Sequence, residues 1–239
     1  MEGDPGYDMI TYTLSDEKIA HIHLDDGKAN ALGPELIAEF MTSLTRAETE
    51  AKAVCVSGRP GRFCAGFDLK IMTKSPTDAV QLLSQGKDLF LKLYSLKVPL
   101  IMACTGHAIA GGALMLLCAD ARIGVEGEFK LGLNEVPIGM TLPRLGVELA
   151  RDRLDPRKLT ESVVLGKLYA PSEAREVGYL DAVVPPEYLQ AAVDSTCLQL
   201  AQLDSNAHHG TKMRVRGATI DLIESTFADD IAAFSGPKG

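Results

Sequence analysis

The 239-residue sequence predicts an α/β fold that ends in a mostly helical region. Short apolar segments of strand length alternate with longer amphipathic segments as far as Leu142, a pattern that is typical of α/β proteins. After Leu142 the pattern is mostly helical, apart from one strand-like segment at 180–184. Hydrophobic residues make up 46% of the chain and charged residues 23%, which is ordinary for a globular protein with a substantial core.

The first part of the chain predicts three strands and one helix. Apolar residues alternate in 18–24, which indicates a half-buried strand, and 9–14 is its expected partner across a short turn. A helix begins at Pro34, a favoured first helical position, and carries one apolar stripe. The compact strand 53–58 follows, and we interpret 59–69 as a loop punctuated by glycine.

The segment 98–119 is similar in composition to a membrane-spanning helix, because it contains no Asp, Glu, Lys or Arg. Pro99 and several glycines break it into short pieces, so we predict a buried strand (99–105), a glycine turn and a buried helix (111–119). We therefore expect no membrane partner.

The other elements complete the predicted organisation. They are a helix from about Thr77 to Leu96, strands at 121–125, 129–132 and 180–184, and a helical tail from about Pro186 to Phe234. The chain contains no low-complexity linker and no convincing repeat. We therefore expect two rigidly joined parts, a core over 1–185 and a helical C-terminal region over 186–239.

Charge and cysteine content exclude several classes of protein. The net charge of −8 and the pI of about 5.2 argue against a nucleic-acid partner, because such proteins carry a basic face. The five cysteines are scattered and never spaced as CxxC, which favours free thiols in a reducing cytosol over disulfides or a metal site. The acidic segment 1–10 lacks the apolar stretch of a signal peptide, so we expect a cytoplasmic location.

Two glycine-containing loops each follow a predicted strand. In "FCAGFDL" (63–69), Gly66 can adopt backbone angles closed to other residues and could leave the Phe67 N–H pointing outward. In "GHAIAGGALMLL" (106–117), a helix opens near Gly111, where the first N–H groups have no partner within the helix. Two such N–H groups meeting at one oxygen would form an oxyanion hole. The alternative is that these glycines only permit tight turns and close packing.

The segment "KLGLNEVPIGM" (130–140) places one carboxylate, Glu135, among mostly apolar residues. Desolvating a carboxylate is costly unless something compensates for it. Glu135 is therefore a surface residue at a strand edge, one half of a buried ion pair, or a proton carrier in a pocket.

Five motifs occur together in the order and spacing of one known family. They are "KANAL" (28–32), "GRFCAGFDLK" (61–70), "GHAIAGGALMLLCAD" (106–120), "FKLGLNEVPIGM" (129–140) and "PSEAREVGYLDAVV" (171–184). With them the chain resembles the enoyl-CoA hydratase/isomerase (crotonase) superfamily over nearly its whole length. The resemblance implies a spiral of ββα turns followed by a helical C-terminal region, assembled as a homotrimer or as a hexamer formed by two trimers. It also implies an acyl-CoA thioester as substrate, with no prosthetic group and no metal.

The resemblance assigns roles by position. It implies that the backbone N–H groups of Phe67 and Gly111 bind the thioester oxygen, and that Glu135 is the catalytic acid. It places six residues along the pantetheine and adenine parts of CoA: Lys28, Ala29, Ala65, Asp68, Leu69 and Lys70. Lys70 falls near the nucleotide, so it either contacts a phosphate or is an ordinary solvated lysine.

The residue at position 114 decides between two reactions of the family. Hydratases of the family use two glutamates, and this chain has Leu114 at the first position and Glu135 at the second. Adding water requires it to be positioned and deprotonated while a proton goes to carbon, and leucine can do neither. The 3,2-enoyl-CoA isomerases resemble this chain in having one glutamate in a "GLNE" segment. We therefore expect double-bond isomerisation, with hydration or another reaction of the superfamily as the alternative.

Interpretations from other classes are less well supported. A non-catalytic acyl-CoA-binding protein would not need Glu135 in an apolar segment, and RNA-binding relatives rely on a basic surface that an acidic chain lacks. Dehalogenase-like chemistry needs an aspartate nucleophile, and "PIGMTLP" (137–143) contains none.

The remaining polar candidates have ordinary interpretations. We expect His21 and His23 at a strand surface or core edge, His107 as a packed, hydrogen-bonded histidine, and Cys64 as a small packing residue. The basic stretch "HHGTKMRVR" (208–216) is expected to form a solvated helix face, with contact to CoA phosphates as the alternative.

Overall fold

The structure is a computed structural model that describes residues 8–234. In chain order its strands are β1 (Ile10–Leu14), β2 (Ile19–Leu24), β3 (Ala53–Gly58), β4 (Gly61–Cys64), β5 (Leu100–Cys104), β6 (Gly106–Ile109), β7 (Ala121–Val125), β8 (Leu131–Gly132) and β9 (Ala182–Val184). The α-helices are α1 (Pro34–Glu50), α2 (Leu69–Met72), α3 (Pro76–Tyr94), α4 (Gly111–Cys118), α5 (Arg144–Arg153), α6 (Pro171–Val177), α7 (Leu189–Leu200) and α8 (Ser205–Ala233). The expectation that there is no signal peptide concerned segment 1–10, and residues 1–7 of that segment lie outside the described residues.

The strands form two sheets. The larger has the order β1-β2-β3-β5-β7-β9, in which β1 and β2 are antiparallel and each later neighbour is parallel. The smaller, β4-β6-β8, is parallel. From β3 onward, successive strands alternate between the two sheets, and the chain returns through a helix after each pair. This arrangement confirms the expected α/β spiral of ββα turns with a helical C-terminal region.

The small sheet was not anticipated from the sequence. Its strand β4 lies inside the segment interpreted as a loop, β6 lies inside the segment interpreted as a glycine turn, and β8 is only the end of the strand predicted at 129–132. Strands of two to four residues are too short to show an alternating pattern, and they form here only because distant segments pair with them. The predicted helical tail consists of two helices, α7 and α8, joined at 201–204.

The basic stretch of α8 is buried where it meets the core, so the expectation of a fully solvated helix face is wrong. Lys212 and Arg216 are each only 6% exposed. Lys212 Nζ lies 2.7 Å from Asp120 Oδ2 and donates to the Leu96 carbonyl at 2.8 Å. Arg216 lies 3.0 Å from Asp120 Oδ1. It also donates to carbonyl groups at the C-terminal ends of α3 and α4, those of Tyr94 (2.7 Å) and Cys118 (3.1 Å).

These contacts satisfy buried carbonyl groups and place positive charge where the helix dipole favours it. They also fix the C-terminal ends of α3 and α4, and both helices contribute to the site described below. No helix among residues 8–234 has both the length and the apolar character needed to cross a membrane. All five cysteines are buried free thiols.

We expect Asp120→Ala to lower the free energy of unfolding by about 3–5 kcal/mol, because it leaves two buried cations without their shared carboxylate. Urea unfolding followed by circular dichroism measures this change. Lys158→Ala is the control: it removes an exposed ion pair with Glu161 and should leave the midpoint nearly unchanged. Equal effects of the two substitutions would contradict the structural role of Asp120.

Candidate active site

The three predicted catalytic residues follow the three strands of the small sheet. Phe67 comes three residues after β4, Gly111 two residues after β6, and Glu135 three residues after β8. Because these strands are parallel, their C-terminal ends lie at the same edge of the sheet. The structure therefore brings together residues that are far apart in the sequence.

A parallel bridge to Leu32 holds the Phe67 loop. The Leu32 N–H donates to the Gly66 carbonyl at 2.8 Å, and the Leu32 carbonyl accepts the Asp68 N–H at 3.1 Å. This alternation directs the Phe67 N–H away from Leu32, and within the described residues it donates no backbone hydrogen bond. The turn depends on Gly66, whose φ of +90° is in the region that favours glycine.

The second loop turns sharply just before α4. Ala110 has φ +51° and ψ −116°, an unusual conformation for a residue with a side chain, and its N–H donates to the Gly132 carbonyl at 2.9 Å. Such backbone strain costs on the order of 1–3 kcal/mol and is concentrated at functional sites. Gly111 is the first residue of α4, so the helix ladder leaves its N–H without a partner.

The two loops touch through their glycines. A Cβ placed on Gly66 would lie 3.1 Å from the Gly111 nitrogen, and one placed on Gly111 would lie 3.2 Å from the Gly66 Cα. The N–H groups of Phe67 and Gly111 are thus on adjacent backbone segments, next to the positive end of the α4 dipole. This arrangement can stabilise negative charge on one ligand oxygen.

The Phe67 side chain is held by a glycine that sequence analysis missed. Its ring packs on Gly86 of α3 so closely that a Cβ there would lie 2.2 Å from Phe67 Cζ. The ring also meets Phe90 edge to face, with centroids 6.0 Å apart. A glycine in the middle of a helix lowers its stability, and this was the available signal that position 86 has a packing role.

Glu135 is a buried carboxylate without a counter-charge. It is 8% exposed, and its Oε2 has no hydrogen-bond partner among the described residues. Its carbonyl accepts the N–H groups of Ile138 (3.1 Å) and Met140 (2.9 Å), which anchors the backbone. Within residues 8–234 it forms no ion pair, so the interpretations as a surface residue or a paired charge are wrong. Burial raises the pKa of Glu135 from its usual 4.5 to about 7, opposed by a hydrogen bond from its own backbone.

Phe67, Leu114 and Glu135 line the same cavity, which encloses about 840 Å³ of empty space including its mouth. This volume is within the range of small-molecule sites, and most of the wall is apolar. Helix α3 contributes Leu83, Lys87 and Phe90, and the end of α8 contributes Phe227, Asp230, Ile231 and Ala233. A single chain therefore builds a pocket that is mostly apolar and has one buried carboxylate in its wall.

The six residues predicted to contact CoA lie on two neighbouring segments outside this cavity. The segments run side by side, because the Ala65 N–H donates to the Ala29 carbonyl at 3.1 Å. Asp68 caps α2 by accepting the Lys70 N–H at 2.8 Å. Four of the six are exposed (Lys28, Ala65, Leu69 and Lys70), and two are half-buried (Ala29 and Asp68).

Asn30 is a second residue whose importance the sequence analysis missed. It is fully buried with φ +53°, and its Nδ2 donates to the carbonyls of Leu24 (2.9 Å), Phe63 (3.1 Å) and Arg62 (3.2 Å). It therefore joins the end of β2 to β4 and holds the two segments of the site together. Its position inside the "KANAL" motif was the only sequence signal.

The ordinary interpretations of His107, Cys64 and His23 are confirmed. His107 Nδ1 accepts the Lys130 N–H at 3.0 Å, and its ring packs edge to face on Phe129. Cys64 is 1% exposed. His23 Nδ1 hydrogen-bonds with the Ser57 hydroxyl at 2.9 Å on the surface of the large sheet.

Comparison with known proteins agrees with this architecture. A family model described as enoyl-CoA hydratase/isomerase matches residues 15–235. The chain therefore belongs to the enoyl-CoA hydratase/isomerase family, and its fold is the crotonase fold.

Some relatives are named as isomerases and others as hydratases. The mouse protein named enoyl-CoA delta isomerase 1, mitochondrial, is 30% identical over 217 residues, covering 88% of this chain and 75% of that protein. The structure of an enoyl-CoA hydratase/isomerase family protein from Pseudomonas syringae is 42% identical, with a TM-score of 0.92 and coverage of 95% of this chain and 98% of that one. An enoyl-CoA hydratase from Mycobacterium marinum is 32% identical, with a TM-score of 0.89 and coverage of 95% and 100%. The particular reaction must therefore be argued from the site.

We expect Gly66→Ala to reduce turnover of an enoyl-CoA by at least about tenfold, equivalent to about 1.4 kcal/mol in the barrier. The added methyl group would lie 2.9 Å from Ala110 Cβ, at a φ that alanine rarely adopts, and would push the two loops apart. The matched control is Gly210→Ala in α8, where nothing lies within 4 Å. The control should keep full turnover and gain about 0.5–1 kcal/mol of stability. Similar turnover by both variants would contradict the importance of the contact.

We expect Glu135→Gln to become more stable than the wild type as the pH rises. The native Glu135 holds its proton up to about pH 7, whereas in the unfolded chain it ionises near its usual 4.5. Native stability is therefore lost between these values, by about 2–4 kcal/mol in total, and glutamine has no such loss. Urea unfolding of both proteins at pH 4.5 and pH 8 measures the difference. A difference that does not change with pH would mean that Glu135 is not buried as described.

Proposed function

We propose that this enzyme is an enoyl-CoA isomerase that moves a double bond from C3 to C2 of an acyl-CoA. The observation that carries the proposal is one buried, unpaired carboxylate, Glu135, which lines the same mostly apolar cavity as Leu114. Relatives named as isomerases support it, and the neighbours named as hydratases require that it be tested.

The proposed reaction uses Glu135 twice. The ionised carboxylate removes a proton from C2 of a 3-enoyl-CoA, and the resulting dienolate carries its negative charge on the thioester oxygen. The N–H groups of Phe67 and Gly111 donate to that oxygen, and protonated Glu135 then delivers the proton to C4. The double bond moves to C2, and Glu135 returns to its ionised form.

The surroundings of Glu135 suit this proton transfer. Its pKa of about 7 allows both protonation states near neutral pH, which a carboxyl group with an ordinary pKa would not provide. The apolar wall limits water that would protonate the dienolate at the wrong carbon. Leu114 supplies apolar surface where a hydratase would need a second carboxylate to position water.

The proposal extends to the rest of the substrate and to assembly. Lys28, Ala29, Ala65, Asp68, Leu69 and Lys70 would contact the CoA moiety on the exposed surface beside the Phe67 loop. The enzyme would need no prosthetic group or metal, because the thioester itself stabilises the dienolate. We also propose assembly as a homotrimer or hexamer, which the family resemblance implies. A cytoplasmic location and the division into a core (1–185) and a C-terminal region (186–239) are proposals based on the sequence pattern.

We expect the wild type to convert a 3-enoyl-CoA into its 2-enoyl isomer and to incorporate deuterium at C2 or C4 in deuterated water. Glu135→Gln should lose both activities by at least about a thousandfold, within the range reported for removing a general acid–base. It should still bind an acyl-CoA, since the N–H groups and the CoA surface are unchanged. Isomerisation followed by ultraviolet absorbance, with mass spectrometry for the label, measures both activities.

A parallel assay with crotonyl-CoA tests the alternative reaction. Slow or undetectable loss of its conjugated absorbance supports isomerisation as the main reaction. Rapid loss would show that the enzyme is a hydratase, and full isomerisation by Glu135→Gln would remove Glu135 from the mechanism.

A further inference from the structure

A second cavity lies between the end of α5 and the first half of α8, and it encloses about 850 Å³ of empty space including its mouth. Among the described residues, none lines both this cavity and the proposed active site. The charged and titratable side chains in the wall of the second cavity are Asp120, Arg153, Asp204, His208, Lys212 and Arg216. The wall therefore holds three cations, two carboxylates and one histidine, which makes it locally basic in a chain whose net charge is −8.

Both carboxylates in this wall are engaged with other groups. Asp120 is shared by two of the cations: its Oδ2 lies 2.7 Å from Lys212 Nζ, and its Oδ1 lies 3.0 Å from Arg216 Nη2. Asp204 caps α8 by accepting the Ala207 N–H at 2.8 Å. The third cation, Arg153, is therefore left without a carboxylate from the cavity wall.

Arg153 is a half-buried cation without a counter-charge. Its Nε is buried and has no hydrogen-bond partner among the described residues, and its guanidinium forms no ion pair within residues 8–234. The pKa of Arg153 is lowered from its usual 12.5 to about 10, mainly by burial and then by the positive charges of Arg122 and Arg216. Arg153 still carries its charge at neutral pH. Desolvating a cation that has no partner is costly, so the cavity lacks an anion that would complete it.

Two carboxylates outside the cavity are also bonded to other groups. Asp181, whose charge acts on Arg153, pairs with Arg122 at 2.5 Å. Asp152, which precedes Arg153 in the chain, accepts a hydrogen bond from the Tyr94 hydroxyl at 2.5 Å. Neither of these carboxylates lines the cavity. The missing anion must therefore come from outside the described part of the chain.

The backbone around Arg153 is fixed, so the cavity is formed before any ligand arrives. The Asp155 N–H donates to the Val177 carbonyl at 2.9 Å, which ties the end of α5 to the end of α6. A Cβ on Gly178 would lie 2.7 Å from the Arg153 carbonyl oxygen, so the two segments are in direct contact. A preformed site loses little free energy to ordering when it binds.

The wall around Arg153 indicates the chemistry of the missing group. A guanidinium presents a planar set of donors that matches the oxygens of a carboxylate or a phosphate. His208 adds a further polar group: its Nε2 lies 3.7 Å from Asp120 Oδ2, and its Nδ1 is buried without a partner among the described residues. Leu203 and Val215 also line the cavity and are 47% and 73% exposed, so they offer apolar surface to the organic part of a ligand.

We propose that the second cavity binds a small molecule carrying a phosphate or carboxylate group, with that group on the Arg153 guanidinium. The site is separate from the proposed active site. Lys212 in the second cavity and Asp230 in the active-site cavity are 18 residues apart on α8, roughly 27 Å along the helix axis. None of the six residues predicted to contact CoA lines the second cavity.

The direct test is a titration of the wild type with inorganic phosphate and, separately, with succinate, at constant ionic strength. Nitrogen-15 NMR of the Arg153 Nε–H group, assigned with Arg153→Gln, should show a saturable shift with a Kd of about 1 mM or below for at least one of them. The anion that binds more tightly identifies the group as phosphate or carboxylate. No shift with either anion at concentrations about ten times higher would overturn the inference.

Urea unfolding provides a second measurement. Phosphate or succinate at about ten times its Kd should raise the folded-to-unfolded ratio of the wild type about tenfold, because the anion binds only the folded state. Arg153→Gln should not respond, and without added anion it should be at least as stable as the wild type, since it lacks the uncompensated cation. The matched control is Arg157→Gln: the Arg157 side chain is 88% exposed and pairs with Asp155 at 2.7 Å, so this variant should respond as the wild type does. Equal responses of Arg153→Gln and the control would overturn the inference.

A third variant keeps the inference testable if Arg153→Gln does not fold. Arg153→Lys retains the positive charge but lacks the planar set of donors, so it should bind the anion at least about tenfold more weakly than the wild type. Equal binding by this variant and the wild type would overturn the inference.

The same variants distinguish this site from the CoA site and from a contact between copies of the chain. Arg153→Gln should keep the wild-type affinity for an acyl-CoA and the wild-type assembly measured by sedimentation. A weaker affinity for acyl-CoA would make the cavity part of the CoA site. Loss of assembly, without anion binding by the wild type, would identify a carboxylate of a second copy as the occupant. Either result would overturn the inference, whereas the proposed isomerase activity is tested independently of both.

Discussion

The pairing of three very short strands, β4, β6 and β8, is the constraint on which the site depends. Each strand has two to four residues, too few to be stable alone, and each is held because its neighbours in the chain belong to the large sheet or to packed helices. Their parallel register brings Phe67, Gly111 and Glu135 to one edge. The contact between Gly66 and Gly111 then sets how closely the two loops approach, and Asn30 ties the first loop to β2.

Buried charges are compensated in one part of this protein and left without a counter-charge in another. Lys212 and Arg216 share Asp120 and donate to backbone carbonyls, so their charges are compensated and serve the packing of α8. Glu135 is equally buried but has no counter-charge, and its pKa rises instead. Desolvation without compensation is poor for stability and useful for a group that must gain and lose a proton near neutral pH. The contrast fits a structural role for Lys212 and Arg216 and the acid–base role that we propose for Glu135.

Helix α8 connects these two regions. Near its start it packs on the ends of α3 and α4 through Lys212 and Arg216, and near its end Phe227 and Ile231 line the cavity. Because α3 carries the Gly86 on which Phe67 rests and α4 begins at Gly111, α8 braces both helices that form the site. The helical C-terminal region is thus part of the pocket and not merely an appendage to the core.

The sequence by itself determined the fold class and most of the longer helices and strands, and it predicted the three central residues of the proposed site. Periodicity over many residues and five motifs in order carry that information locally. Only the tertiary structure decided the small sheet, the roles of Asn30 and Gly86, and the burial of Lys212 and Arg216. Each of these depends on contacts between segments far apart in the chain. Such contacts leave no periodic pattern in the sequence around either residue. The apolar neighbours of Glu135 were visible in the sequence, but its lack of a counter-charge was decided by packing.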